Sequence, residues 1–386
     1  MSNANAVAFP PGLQQRVKAS CGFKAGGFPR RDRPSPDTGY LRQNRSNRPF
    51  DDRMATQGFP TTAMREIQIL AKGVRSLVWD GEKLVDWAAG GEAYLISGET
   101  VPSRVYYAYP FDAAAVSPSG EFEVIYTRLG TKGLILRRGN VIREINRSFY
   151  HAHVYEYPVT VLRLSNGREV LVHCPEEYCR LEIEDLVSGE RLTTGTKRKP
   201  PNFFHSRLAA SPDGSRLISA GWLWQPVDDV RVYDLDAALV DPSQLDGRGY
   251  EIDAWAEESS ATFDREGRVI VALNGIEQEG EEVDRPASSE VRIFDLRHPA
   301  NPRVIRNTGR LGTVIAVGRH LLSLYDHPKL IDMESGREVR SWPAIRTGGQ
   351  VSSIWSSKLP PMALDATGRR LAVADDVGIT VLELDA

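Results

Sequence analysis

Hydrophobic and polar residues alternate in short runs along most of the chain after residue 64. Runs such as 216–220, 268–273 and 370–374 follow a tight turn that ends in glycine. A further run comes after each of them, at 230–235, 291–296 and 379–384 respectively. Alternation with a period of two, in segments rich in β-branched and aromatic residues, predicts strands with one buried face. Helical periodicity is almost absent, and only 236–239 fits one helical turn.

The unit of strand, turn and strand recurs seven times. Its clearest copy is Ser211-Pro212-Asp213-Gly214, where the proline presets φ and the glycine supplies the positive φ that closes the turn. The turn glycines, separated by 39 to 53 residues, are Gly81, Gly120, Gly167, Gly214, Gly267, Gly318 and Gly368. Several units end in a second glycine turn and a short fourth strand. Seven such units predict an all-β fold, a seven-bladed β-propeller of four-stranded antiparallel blades.

The two ends of the repeat region provide a separate test of this architecture. The last unit ends at Leu384 after its third strand, which would leave an unpaired strand edge. Residues 65–70 alternate as a strand does and stand before the first unit. We therefore expect this N-terminal strand to complete the last blade and close the ring.

The first part of the chain has no sustained periodicity. Residues 1–60 carry ten Arg and Lys against four Asp, a net charge of +6, and are rich in Pro, Gly, Asn and Ser. Such a segment buries too little apolar surface to offset its ordering entropy, so we predict a disordered basic leader at 1–63 and a propeller at 64–386. The leader fits a solvated tail, a nucleic-acid-binding tail, a targeting peptide, or a start assigned upstream of Met54 or Met64.

Charge and composition narrow the class of protein. The chain after residue 60 has a net charge of −9, which argues against binding to duplex nucleic acid. No run of eighteen apolar residues predicts a membrane span, and the first residues lack the basic and apolar regions of a secretory signal. Three cysteines cannot form a disulfide framework. We therefore expect a cytoplasmic, monomeric propeller.

The repeat resembles those of a known class of propellers. Ser211-Pro212-Asp213-Gly214, followed some fifteen residues later by Val-Arg-Val-Tyr-Asp-Leu at 230–235, resembles the repeats of WD40-like and YVTN-like bacterial β-propellers. The resemblance extends over residues 64–386. It implies a binding platform, as in most members of the class, although a fold alone does not determine function.

In a propeller, the loops that lead into the inner strands and those that join the second and third strands open on one face. Here these loops are rich in aromatic and acidic residues, which is typical of an interaction surface. The predicted partner-binding residues are Trp222, Trp224, Trp255, Tyr155, Tyr157, His205, Glu281 and Glu282. The alternatives are rings that pack between blades, a solvated acidic loop and a structural role for His205. The hypothesis is a non-catalytic scaffold that binds a protein with a basic patch.

A propeller hydrolase or lactonase with a metal in the central channel is the alternative function. His173, Cys174 and Cys179 flank one loop and offer half of a zinc site, with His151 or His153 to complete it. Buried cysteines are also common as small hydrophobic residues. No spacing of the Ser-His-Asp or Cys-His kind stands out, so the sequence predicts no catalytic residue and no cofactor.

Overall fold

The computed structural model describes residues 66–195, 197–224, 227–254, 256–274, 289–307, 309–354 and 358–384. These residues form seven antiparallel sheets around a central channel. The chain is therefore a seven-bladed β-propeller, as the repeat predicts. The predicted leader at 1–63 lies outside the described residues.

Blades 1 and 2 follow the four-stranded pattern, with strands in chain order from the channel outwards. One strand, β1 (Glu66–Leu70), precedes them. Blade 1 contains β2 (Val78–Asp80), β3 (Lys83–Asp86), β4 (Glu92–Leu95) and β5 (Thr100–Val101), with a 3-10 helix at Trp87–Ala89. Blade 2 contains β6 (Ala113–Val116), β7 (Phe122–Tyr126), β8 (Lys132–Arg137) and β9 (Asn140–Asn146).

Blades 3 and 4 depart from this pattern at their outer edges. Blade 3 contains β10 (Val159–Arg163), β11 (Glu169–His173) and β12 (Glu182–Asp185), and its fourth strand is reduced to a bridge between Glu184 and Arg191. Blade 4 contains β13 (Phe203–Phe204), β14 (Leu208–Ala210), β15 (Arg216–Leu223) and β16 (Val227–Asp234). Both β13 and β14 pair with β15, and helix α1 (Leu235–Val240) and a 3-10 helix (Pro242–Asp246) follow β16. The helical turn expected at 236–239 is thus present.

The remaining blades return to four strands. Blade 5 contains β17 (Glu258–Phe263), β18 (Val269–Asn274), β19 (Ser289–Phe294) and β20 (Arg303–Asn307). Blade 6 contains β21 (Val314–Val317), β22 (His320–Ser323), β23 (Lys329–Asp332) and β24 (Glu338–Ser341). Blade 7 contains β25 (Met362–Leu364), β26 (Arg370–Ala374) and β27 (Gly378–Glu383), and β1 is its fourth strand.

The ring closes as predicted. The strand β1 pairs antiparallel with β27, from Glu66 opposite Leu382 to Leu70 opposite Gly378. Ile69 is buried in a cluster that includes residues of both blade 7 and blade 1. The N-terminal strand therefore joins the last blade to the first.

The seven predicted turn glycines all have positive φ, between +57° and +84°. Side chains with a Cβ rarely adopt this conformation, which explains why glycine recurs at the same place in each unit. The apolar core lies between neighbouring blades: Ile218 and Val232 of blade 4, for example, pack with Val269 and Val271 of blade 5. Within the described residues, no helix combines the length and apolar character needed to cross a membrane.

Candidate functional site

Five aromatic side chains of blades 3 and 4 come together on one face of the ring. We call them the aromatic cluster: Tyr150, Tyr178, Phe204, Trp222 and Trp224. Tyr150 lies on the loop that leads into blade 3, and Tyr178 lies on the loop between β11 and β12. Phe204 lies on β13, Trp222 lies near the end of β15, and Trp224 directly follows β15. The two kinds of loop that were expected to share a face therefore do meet here.

The rings of the cluster stack on one another. The Phe204 ring is central, with its centroid 4.0 Å from that of Trp222 and 4.3 Å from that of Tyr178, at interplanar angles of 13° and 26°. The Tyr150 ring lies 4.9 Å from that of Tyr178 and 6.3 Å from that of Trp224, to which it is inclined by 20°. Each aromatic pair contributes about 0.5–1.5 kcal/mol beyond the area it buries, so the cluster is held in a defined arrangement.

Backbone pairing explains the central stack. Phe204 on β13 is directly opposite Trp222 on β15, and directly opposed residues in antiparallel strands hold their side chains close together. Gly221 permits this approach, because a Cβ at its position would lie only 2.0 Å from the carbonyl oxygen of Phe204. Any side chain at position 221 would therefore displace β13 and the Phe204 ring with it.

Two members of the cluster reach the solvent. Tyr150 is 47% exposed and Trp224 is 39% exposed, whereas Phe204 and Trp222 are buried. The His151 ring lies 4.4 Å from that of Tyr150 and 5.0 Å from that of Trp224, on a backbone with φ of +53°. Residues held in this left-handed region cost energy and often mark functional loops. Half-exposed rings thus rest on a buried, rigid base.

Arg147 organises the loop that carries Tyr150. It is buried, and its guanidinium donates hydrogen bonds to the carbonyl oxygens of Gly130 and Ala152, both at 2.7 Å, and of Tyr155 at 3.0 Å. The guanidinium also lies 4.6 Å from the centre of the Tyr155 ring. A planar group with five donors can tie several carbonyls of one loop together, which fixes the loop beneath the aromatic cluster.

His205 fixes the loop that carries Tyr178. Its Nδ1 lies 3.0 Å from the hydroxyl oxygen of Ser219, and its Nε2 lies 3.2 Å from the carbonyl oxygen of Cys179. Because a carbonyl only accepts, Nε2 carries the proton and Nδ1 accepts from Ser219. Burial, together with the nearby Arg231, lowers the pKa of His205 to about 3. His205 therefore remains neutral and supports the surface from below.

We expect this buried histidine to make the protein less stable in mild acid. In the unfolded chain a histidine titrates near pH 6.5, so below that pH the unfolded state takes up a proton that folded His205 does not bind. The wild type should lose about 2 kcal/mol more free energy of unfolding between pH 7 and pH 5 than the His205→Gln variant does. Urea unfolding at the two pH values measures this difference.

The comparison with His205→Gln removes the contribution of the other histidines, which both proteins retain. His298→Gln, at an exposed position on the turn after β19, is the matched control and should follow the wild type. Equal pH dependence in the wild type and His205→Gln would contradict a neutral, buried His205. Measurements at pH 5 and above avoid the titration of Glu184. Burial raises the pKa of this carboxyl, but its partners His173 and Arg143 hold the pKa at about 2. The stabilisation from its charge is therefore lost only below pH 4.5.

The linker between blades 6 and 7 spans the channel on the face of the aromatic cluster. We call residues 347–354 the crossing segment. Gly348 forms a bridge with Asp326 of blade 6, and Ile354 forms a bridge with Tyr155 on the loop into blade 3. Blades 3 and 6 stand on opposite sides of a ring of seven, so the segment between these bridges crosses the channel mouth. Ile354 also packs against the buried part of the aromatic cluster.

Asp228 holds the crossing segment in place. Its buried carboxylate accepts hydrogen bonds from the Ser353 hydroxyl at 2.5 Å and the Ser353 amide at 3.1 Å. The same carboxylate accepts the amide of Ser259 in blade 5 at 2.9 Å, and Arg207 lies 3.6 Å away. One side chain of blade 4 thereby joins two blades and the crossing segment.

A cavity of about 320 Å³ lies within the channel, lined by the inner strands of blades 4 to 7 and by Gln350 of the crossing segment. Its charged lining residues are Arg128, Glu156 and, next to Asp228, Arg207. The Arg207 guanidinium donates to the carbonyl oxygens of Ala220 at 3.0 Å and Ser259 at 2.8 Å, beside the carboxylate of Asp228. The charge of Arg207 is therefore compensated by the protein itself.

The structure separates the predicted partner-binding residues into three groups. Tyr155, Tyr157, His205 and Trp222 are buried, so they support the surface instead of presenting a side chain to a partner. Buried rings of this kind are what the alternative of packing between blades describes. Among the predicted residues that the structure describes, Trp224 has an accessible ring. Trp255, Glu281 and Glu282 lie outside the described residues.

The candidate zinc ligands have other partners. The Nε2 of His173 lies 3.1 Å from a carboxylate oxygen of Glu184, and Cys174 is buried in the apolar core between blades 3 and 4. In the part of the chain that the structure describes, no three His, Cys, Asp or Glu side chains are grouped as metal ligands would be. The pairing of His173 with Glu184 explains a buried histidine without a metal.

Sequence reasoning missed Tyr150, Tyr178, Arg147 and the crossing segment. Tyr178 had a usable signal, because it lies in a loop between second and third strands, the class of loop expected on this face. Tyr150 lies shortly before Tyr155 and Tyr157, two of the predicted partner-binding residues. Nothing in the local sequence identifies Arg147 or the crossing segment, since their partners are set by the folded ring.

No protein-family model and no curated protein matches the sequence. Solved structures do match the fold. A chain of Kuenenia stuttgartiensis hydrazine synthase superposes with a TM-score of 0.54 at 15% identity, over 81% of this chain and 96% of that one. A chain of a mitotic checkpoint complex superposes with a TM-score of 0.51 at 11% identity, over 90% of this chain and 99% of that one. At these identities the likeness concerns the fold alone.

Proposed function

We propose that this propeller is a non-catalytic scaffold that binds a protein partner through the aromatic cluster of blades 3 and 4. The observation that carries the proposal is the pair of large, half-exposed rings, Tyr150 and Trp224, on a buried stack. Tyrosine and tryptophan dominate the energetically important positions of protein interfaces. Rings that are already fixed lose little conformational entropy when a partner covers them, which favours binding.

The solved propellers fit this role without establishing it. One belongs to a mitotic checkpoint complex, so the same fold works there within an assembly. The other belongs to an enzyme, hydrazine synthase, so the fold by itself does not decide between a scaffold and a catalyst. Here the choice rests on the aromatic cluster. Among the described residues, no three His, Cys, Asp or Glu side chains are grouped as the metal site of the alternative hydrolase would require.

Replacing Trp224 with alanine should weaken capture of the partner while leaving the fold intact. Its ring is 39% exposed and lies at the rim of the cluster, so truncation removes contact surface with little loss of core packing. Loss of a central interface ring typically costs about 2 kcal/mol, or about thirtyfold in affinity. Full-length protein as bait in native lysate, followed by titration of the captured protein, measures the effect.

The matched control is Tyr106→Ala, which removes a 78% exposed ring on the loop into blade 2 that is not part of the cluster. This variant should bind as the wild type does. Trp222→Ala is unsuitable for the test, because removing a buried tryptophan costs about 3–5 kcal/mol of stability and confuses folding with binding. Unchanged affinity in Trp224→Ala, with normal unfolding behaviour, would remove this site from consideration.

A further inference from the structure

The exposed rings of the aromatic cluster offer flat faces of similar orientation. The planes of Tyr150 and Trp224 differ by 20°, and their centroids are 6.3 Å apart. Ring faces carry negative electrostatic potential, so they attract a cation placed over them as well as apolar groups. The geometry therefore suits a flat or cationic group better than a bulky, branched one.

Beside Tyr178 of the cluster lies Glu177, whose carboxylate forms no ion pair with the residues that the structure describes. Glu177 is exposed and directly precedes Tyr178, whose ring stacks on Phe204. Among the described residues, the one polar contact of its carboxylate is a long hydrogen bond, 3.9 Å, from the sulfur of Cys179. The neighbouring Glu176, by contrast, is paired with Arg191 at 2.8 Å. Glu177 therefore retains a carboxylate that is available to a partner.

The chain itself stacks guanidinium groups on the rings beneath this surface. Arg231 lies 3.9 Å from the centre of the Phe203 ring, and Arg147 lies 4.6 Å from the centre of the Tyr155 ring. Arginine suits this contact because its guanidinium is planar, always charged and more weakly hydrated than the ammonium of lysine. The net charge of −9 after residue 60 adds long-range attraction for a basic partner.

We propose that the aromatic cluster recognises an arginine side chain of its protein partner, with the guanidinium stacked on the Trp224 and Tyr150 faces and its charge directed toward Glu177. This inference rests on the proposed function and names the chemistry that the surface selects. The ring faces and the Glu177 carboxylate together favour arginine over a neutral side chain of the same length.

Two synthetic hexapeptides of alternating glycine and arginine, or glycine and citrulline, test the proposal on the full-length protein. Citrulline has nearly the shape of arginine and no charge. Cation–π attraction of about 0.5–2 kcal/mol predicts that the arginine peptide binds about two- to thirtyfold more tightly in a fluorescence polarisation titration at low salt. Trp224→Ala should weaken the arginine peptide by a similar factor.

Glu177→Gln should weaken the arginine peptide about two- to fivefold and leave the citrulline peptide unchanged, as expected for loss of one exposed ion pair. Glu190→Gln is the matched control, because Glu190 is also exposed but lies on the turn after the third strand of the same blade, on the opposite face. That variant should bind both peptides as the wild type does. The preference for arginine should also decrease at high salt.

Equal affinity for the two peptides, or no binding of either at about 1 mM, overturns the inference. So does an arginine preference that survives Trp224→Ala unchanged. If the partner captured from lysate depends on Trp224 while the peptides show no preference, the proposed function stands and the arginine chemistry is wrong. If neither the partner nor the peptides depend on Trp224, both proposals fail.

Discussion

Replacing Ile69 with alanine will lower the free energy of unfolding by about 3 kcal/mol, within the range of about 2–5 kcal/mol for large-to-small core substitutions. Ile69 is 1% exposed and packs in a cluster with Leu84 of blade 1 and with Ile379 and Val381 of blade 7. The Ile69 side chain of β1 therefore packs against both blade 1 and blade 7 where the ring closes. Urea denaturation, followed by tryptophan fluorescence, measures the loss.

Leu70 provides the matched control for this prediction. It is the next residue in the same strand, but 84% of it is exposed on the other side of the sheet. Leu70→Ala should therefore change the free energy of unfolding by less than about 0.5 kcal/mol, as surface substitutions usually do. A loss below about 0.5 kcal/mol in both variants would mean that β1 stabilises the ring through its backbone pairing alone, and that the Ile69 side chain does not join blade 1 to blade 7.

The ring itself could be predicted because its signals are local. Each repeat is a hairpin whose turn needs positive φ, and the seven glycines that mark these turns all adopt it. The exposed edge left after Leu384 then required a fourth strand, and the alternating residues before the first unit were the segment able to supply it. Turn chemistry and strand alternation act over a few residues, so a sequence reveals them directly.

The outer edges were less predictable. Gly189 lies in one of the second glycine turns that predict a short fourth strand, yet in blade 3 this strand is reduced to the bridge from Glu184 to Arg191. In blade 4, Asp234 caps helix α1 through a bond to the amide of Ala237, and the chain leaves the sheet there. An outer strand packs one face at most, so its hydrophobic pattern is weak and a cap or a short loop can override it.

At the candidate site, the sequence identified the face but not the exposed side chains. Trp222 and Trp224 look equivalent in sequence, but β15 ends between them, at Leu223. Pairing with Phe204 then buries Trp222, while Trp224 follows the strand and stays at the rim. Which ring covers which depends on contacts between strands and loops that are distant in sequence, and no local pattern records such contacts. The same holds for Asp228 and Ser353, which meet although they are 125 residues apart.

Asp228→Ala should be among the most destabilising single substitutions in this protein. The change leaves the amides of Ser259 and Ser353 and the guanidinium of Arg207 without their shared acceptor, in a buried position. Removing one partner of a buried ionic network costs about 3–5 kcal/mol, because the remaining charge and donors are neither solvated nor paired. Chemical denaturation measures this loss. Trypsin should also cut more rapidly at Arg346 or Lys358, which flank the crossing segment, before global unfolding.

Asp236→Ala is the control for this prediction, because it removes an exposed hydrogen bond between blades where Asp228→Ala removes buried ones. Asp236 also accepts a hydrogen bond from a serine of another blade, Ser165 at 2.6 Å, but both groups are exposed to water. Water can replace that bond, so the expected loss is below about 1 kcal/mol and trypsin sensitivity should not change. If Asp228→Ala were as mild as Asp236→Ala and left the cleavage rate unaltered, Asp228 would not be what fastens the crossing segment over the channel. The rigid base of the aromatic cluster, to which Ile354 contributes, would then need another explanation.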